Sequence, residues 1–181
     1  MKKIPISRWL TLFVLFAFLF NACSTSTQKA TATEIGTPRL TSNIDQIISP
    51  GDIKDFLVEK IGVSAFGGKV FCAYQIMGTE QDSQMTKIYL WVLLQEYYIT
   101  QHSLEEGTGI SEPVAIFVKM QNGKYQIFDY KDAGDGYQYL TQNFPPSILP
   151  LINLPTDEYN QRSASLSNET RNEAETYFGV H

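Results

Sequence analysis

The sequence predicts an α+β domain in which an amphipathic helix toward the N-terminus lies on a four-stranded antiparallel sheet, with short helices closing the chain. Three observations carry that prediction. A capped, single-striped apolar segment precedes a series of β-rich runs, one of those runs is apolar on both parities, and an Asn-Gly pair sits between two alternating runs.

The helix opens at Ser49-Pro50-Gly51-Asp52, where Ser serves as N-cap, Pro occupies the first helical position and an acidic residue follows three after the Ser. Ile53, Phe56, Leu57 and Ile61 form one stripe, and Gly62 supplies the left-handed stop. The first strand begins near Lys69, with Val70 to Met77 rich in β-formers and Gly78 to Gln84 read as a polar turn. Lys87 to Thr100 follows, placing Tyr89, Trp91, Leu93 and Tyr97 on one face and Ile88, Leu90, Val92, Leu94 and Tyr98 on the other. A strand apolar on both faces belongs at the centre of its sheet.

Gln101 to Pro113, with Gly107 and Gly109, reads as a loop. Val114 to Gln121 and Lys124 to Tyr130 then flank Asn122-Gly123, and a type I′ turn needs the positive φ that this pair adopts readily. Asp132 to Gly136 is a further turn, ahead of a short helix from Tyr137 to Phe144 that Pro145-Pro146 stops. A last helix is expected from Ser167 to Phe178 on the spacing of Leu166, Thr170, Ala174, Tyr177 and Phe178. Helices on one side of such a sheet suggest, by analogy alone, a cystatin-like or NTF2-like arrangement.

Ahead of this domain, Lys2, Lys3 and Arg8 precede an apolar run of twelve positions, Trp9 to Phe20, broken only by Thr11, and the chain turns polar after Asn21-Ala22-Cys23. That is the layout of a secretory signal peptide, and it is short of the roughly 20 residues a membrane span requires. Ala22-Cys23 resembles the bacterial lipobox, although Phe20 and Asn21 replace the preferred Leu and small residue. The resemblance implies cleavage after residue 22 and a diacylglyceryl group on Cys23, with acyl chains such as palmitate. The alternative is ordinary secretion with cleavage after Ser24.

Residues 23–43 hold nine Ser or Thr between positions 24 and 43 and too little apolar surface to fold. They are expected to be a disordered tether with a reach of about 25 Å. The resulting division is a signal peptide over 1–22, a tether over 23–43 and one domain over 44–181. With lipid on Cys23, Cys72 is the remaining thiol, in an apolar run that suits a buried residue.

Net charge narrows the function. The chain has 14 Lys and Arg against 19 Asp and Glu, a formal charge of −5. The 159 residues beyond position 22 carry 11 basic and 19 acidic side chains, close to −8. Phosphate contacts need clustered cations, so a nucleic-acid partner is excluded.

Catalytic sets are also missing. His102 in a loop and the terminal His181 are the two histidines, too few and too far from Cys72 for a nucleophile–base pair or a zinc site. Gly67-Gly68-Lys69 precedes a strand and so cannot cradle phosphate at a helix start. Asp129, Asp132 and Asp135 form an acidic cluster whose spacing of three suits a turn better than a calcium loop, and no metal or other cofactor is expected. Tyr89, Trp91 and Tyr97 are candidates for a stacking platform for sugars or peptides, weighed against a role in the core.

The succession Val70-Phe71-Cys72-Ala73-Tyr74, Gly78-Thr79-Glu80, Ile88-Tyr89-Leu90-Trp91-Val92, Glu96-Tyr97-Tyr98, Gly107, Ser111-Glu112-Pro113-Val114, Asp135-Gly136-Tyr137 and Phe144-Pro145 resembles an uncharacterised extracytoplasmic domain of bacterial lipoproteins. That domain is also attached to membrane metallopeptidase sensors of the β-lactam-responsive type. The resemblance implies an extracytoplasmic location and a sensing or binding role, and it transfers no catalytic residue.

The expectation is therefore a non-enzymatic lipoprotein of the cell envelope, held on the cell membrane or the outer membrane through Cys23 and binding a partner protein or a wall fragment. Two alternatives belong to other classes. One is a carboxylate-dependent hydrolase that would use Asp129, Asp132 and Asp135 with Glu105 or Glu106. The other is an inhibitor-like or structural module that adds a partner to an exposed sheet edge or to the 101–113 loop.

Overall fold

The computed structural model describes residue 44 and residues 46–82, 85–134 and 137–180. The signal peptide, Cys23 and the tether lie outside the described residues, as do Asp135, Gly136 and His181. In chain order the elements are α1 (Pro50–Lys60), β1 (Lys69–Gln81), β2 (Thr86–Thr100), β3 (Ser103–Gln121), β4 (Lys124–Lys131), α2 (Tyr137–Asn143), α3 (Leu149–Ile152) and α4 (Thr156–Phe178).

The four strands form one antiparallel sheet in the order β1-β2-β3-β4, so each strand pairs with its neighbours in sequence. The architecture is α+β. Asn122 and Gly123, at φ 52° and 78°, make the two-residue turn between β3 and β4. Ser49 caps α1 by accepting from the Asp52 amide.

Because successive strand residues point to opposite faces, the two parities of β2 build two cores. Ile88, Leu90, Val92 and Leu94 pack with Ile53 and Leu57 of α1. Tyr89 and Trp91 pack on the other face with Phe144, Ile148, Ile152 and Leu166. The expectation of helices on one side is therefore corrected: α1 covers one face of the sheet, and α4 with the 144–152 segment covers the other.

Three further expectations change. Gln101 to Pro113 is not a loop: only Gln101 and His102 turn, at φ 49° and 70°, and β3 starts at Ser103, paired with Thr100. Gly107 and Gly109 are strand residues whose missing side chains leave room for a partner. A Cβ at Gly107 would stand 2.7 Å from Glu96 Oε2, and one at Gly109 2.6 Å from Gln95 Oε1.

Gly78 to Gln81 likewise continues β1 past a bulge between Ile76 and Gly78, where Ile148 closes over the glycine. The C-terminal helix is not short: α4 runs 23 residues from Thr156, with Arg162, Leu166, Thr170 and Ala174 buried at a spacing of four. Its first turns escape an apolar pattern because the inward residue there is an arginine.

Candidate binding groove beside the edge strand

Among the described residues β1 is an edge strand paired with β2, and a groove runs beside it. The groove encloses about 730 Å³ and is walled by α1 and α4, with Tyr74, Gln75 and Ile76 of β1 along its length. This is the size range of ligand sites. Both helices reach around β1 because each covers one face of the sheet. Lys54 of α1 ties them together, its Nζ lying 2.6 Å from Glu169 Oε1 and 2.5 Å from Glu173 Oε1 on α4. Burial works against the Lys54 charge, but hydrogen bonds to Glu169 and Glu173 outweigh it and raise the pKa.

Arg162 forms part of the α4 wall. It is only 6% exposed, its guanidinium carbon lies 4.2 Å from the centre of the Trp91 ring, and Nη1 donates to the Leu151 carbonyl at 2.9 Å. Nη1 also approaches the Met77 sulfur at 3.8 Å. Nε and Nη2 are buried without any hydrogen-bond partner among the described residues, and no carboxylate forms an ion pair with this arginine there. Burial pulls its pKa down, opposed weakly by Tyr159. A buried cation with two unmet donors is costly, so the arrangement calls for a reason beyond packing.

A second buried charge contrasts with it. Glu96 is 0% exposed, and its carboxylate accepts from Ser64 Oγ at 2.7 Å and from the amides of Gly68, Ala65, Phe66 and Thr108 at 2.8, 3.0, 3.0 and 3.2 Å. Burial alone would raise its pKa, but these donors outweigh it and bring the group to about 2. Glu96 thereby pins the 62–68 segment and β3 to the β2 bulge between Gln95 and Tyr97. The pinned segment presents Phe66, 62% exposed, stacked on Tyr98 with ring centres 5.5 Å apart.

The residues singled out from sequence fall elsewhere. Of the two roles weighed for Tyr89, Trp91 and Tyr97, the structure gives them the one in the core, at 2%, 7% and 1% exposure. Tyr89 lies against Phe144 and donates to Glu80, Trp91 lies against Tyr159 and Arg162, and the Tyr97 hydroxyl meets Thr170 of α4. No ring face is left open for stacking. Cys72 is buried, and its thiol is pushed up to about 12 by loss of solvent, which makes it a poor nucleophile.

Asp129 pairs with Lys131 at 3.8 Å, while Asp132 accepts from the Gly134 amide within its own turn. Glu106 pairs with Arg171, and His102 is exposed in the β2–β3 turn. Among the described residues no three acidic, His or Cys side chains gather as a metal site. No helix among them is long and apolar enough to cross a membrane.

Arg162 and Glu96 both escaped the sequence reading. For Glu96 the available signal was a lone carboxylate inside an apolar strand; for Arg162 it was an arginine one helical turn before Leu166 on the buried stripe. No protein-family model, curated protein or solved structure matches the chain.

Proposed function

We propose that the protein is a non-enzymatic binding module of the bacterial cell envelope, held outside the membrane by a diacylglyceryl group on Cys23, and that it takes a partner-protein segment or a wall component in the groove beside β1. The observation that carries this reading is the groove itself, which lies between two helices beside the edge strand β1 and has in its wall an arginine with two nitrogens unpartnered among the described residues. An open edge offers main-chain donors and acceptors to an extended chain, and flanking helices supply side-chain pockets. The dispersal of Asp129, Asp132 and Glu106 into separate contacts, with His102 exposed in a turn, supports binding over hydrolysis. The polar N-terminal segment and the lipobox resemblance support the anchor.

Two substitutions test the reading in membranes. Gln161→Trp fills the groove from an exposed position on α4, and crosslinked partner or wall material should fall at least tenfold while the melting temperature holds. Cys23→Ala should release the protein from the membrane fraction without changing capture by the solubilised chain. Undiminished capture by the Gln161→Trp protein would move the binding surface away from β1.

A further inference from the structure

Resting on the groove as the binding surface, we propose that the last residues of the tether, Thr37-Pro38-Arg39-Leu40-Thr41-Ser42-Asn43, dock in it as a strap. Leu40 lies on its apolar floor, Arg39 turns to Glu158, and a partner must displace this segment of the same chain. The argument starts from where the chain enters the domain. Ile44 is buried, and its carbonyl accepts from the Ile48 amide, closing one helical turn directly before the Ser49 cap of α1. Pro50, in the first turn of α1, lines the groove. One helical turn and two further residues put Ile44 within about 14 Å of Pro50. Leu40 stands four residues ahead of Ile44, and four extended residues span about 13–14 Å. Leu40 therefore reaches the mouth of the groove, and residues 37–39 reach beyond it.

The groove and the segment match in chemistry. Half-buried Ile76 and Leu154, with buried Leu166, form the floor, and Leu40 is the only Leu, Ile, Val or aromatic residue of the segment. Glu158 is exposed on the lining and joins no ion pair among the described residues, whereas Glu169 is held by Lys54. Arg39 is the one charge of the segment and has the opposite sign. Such an exposed pair adds little affinity and mainly fixes which way the strap lies. Pro38 sets its own φ and holds Thr37 extended, so less chain entropy is lost on docking. Side chains of the helices hold the strap; it asks for no pairing with the β1 main chain and no movement of Arg162.

Covalent continuity supplies the rest. A segment joined to the rim by a few residues is presented to the groove at a concentration on the order of millimolar. Weak contacts then suffice to seat it, and a partner arriving from outside competes against that concentration. Partner binding in the groove would release the strap and lengthen the tether.

The test uses the full chain in detergent, with the photocrosslinker p-benzoylphenylalanine replacing Leu40 or, as a control, Thr27. Within the monomer, position 40 should crosslink to groove residues of α1 and α4, such as Lys54, Gln161 and Ser165, at least fivefold more than position 27. Arg39→Glu should cut that yield at least threefold, and adding Glu158→Arg should restore it. Gln161→Trp, which fills the groove, should abolish it, and melting curves establish that each variant folds. Crosslinks from position 40 that scatter over the surface, or that equal those from position 27, overturn the strap. A yield that ignores Gln161→Trp overturns it as well, and one that ignores the charge swap overturns the contact of Arg39 with Glu158. The partner reading fails separately: groove crosslinks from position 40 with undiminished partner capture by the Gln161→Trp protein keep the strap and overturn its displacement by a partner.

Discussion

At the bulge near the C-terminal end of β2, a buried carboxylate meets a hydroxyl and four backbone amides, whereas near the middle of the same strand a buried guanidinium over Trp91 uses one carbonyl and a thioether and leaves two nitrogens unmet. Burial is nearly complete at both sites. The difference is in what surrounds them: Glu96 is enclosed by its own chain, and Arg162 sits in the wall of a groove. A charge whose partners all come from the fold is part of what holds the fold together. A charge that lacks partners destabilises the molecule that carries it.

The largest effect belongs to Glu96. Glu96→Ala should strand the Ser64, Ala65, Phe66, Gly68 and Thr108 donors, detach the 62–68 segment and lower the melting temperature by on the order of 10 °C, read by calorimetry. The pH dependence has a definite sign. The carboxyl of Glu96 is depressed from 4.5 to about 2 on folding, so its stabilisation is fully present above pH 4.5 and is lost as the pH falls toward 2. Glu96→Gln should flatten the acid limb of the stability profile in that window.

Gly107→Ala comes next, because its methyl group would stand 2.7 Å from Glu96 Oε2. A loss of about 1–3 kcal/mol is expected, as for overpacking, measured by urea denaturation. Arg162→Met reverses the sign. It keeps an apolar side chain on Trp91 and removes the unmatched charge, so stability should hold or rise by about 1 kcal/mol, a shift of roughly 2–4 °C. Lys54→Ala is the smallest, about 0.5–1 kcal/mol, since its ion pairs are partly exposed and screened. Its loss should shrink further as salt is raised.

The same two sites explain what the chain revealed in advance. Local signals were legible: Asn122-Gly123 specifies its turn through backbone preference, and β2 declares its central place by carrying apolar residues on both parities. Long-range complementarity was not. Gly107 and Gly109 read as loop residues because their reason lies across the sheet, in the Glu96 and Gln95 side chains that occupy the space.

The turn at Gln101-His102 carries positive φ without glycine or asparagine, and His102 is only a weak signal for it, so the first half of β3 was hidden. The bulge between Gln95 and Tyr97 shifts parity and obscures which way Glu96 points. Arg162 was invisible for a simpler reason, since apolar periodicity skips an arginine that is buried by a helix and a tryptophan brought together only in the fold.

The most direct test of the contrast is the melting temperature of the full chain, of Glu96→Ala and of Arg162→Met. The account predicts that the Arg162→Met protein melts at or above the wild-type temperature while the Glu96→Ala protein melts well below it. An Arg162→Met protein that melts as far below the wild type as Glu96→Ala would show that Arg162 is a structural group like Glu96 and contradict the account.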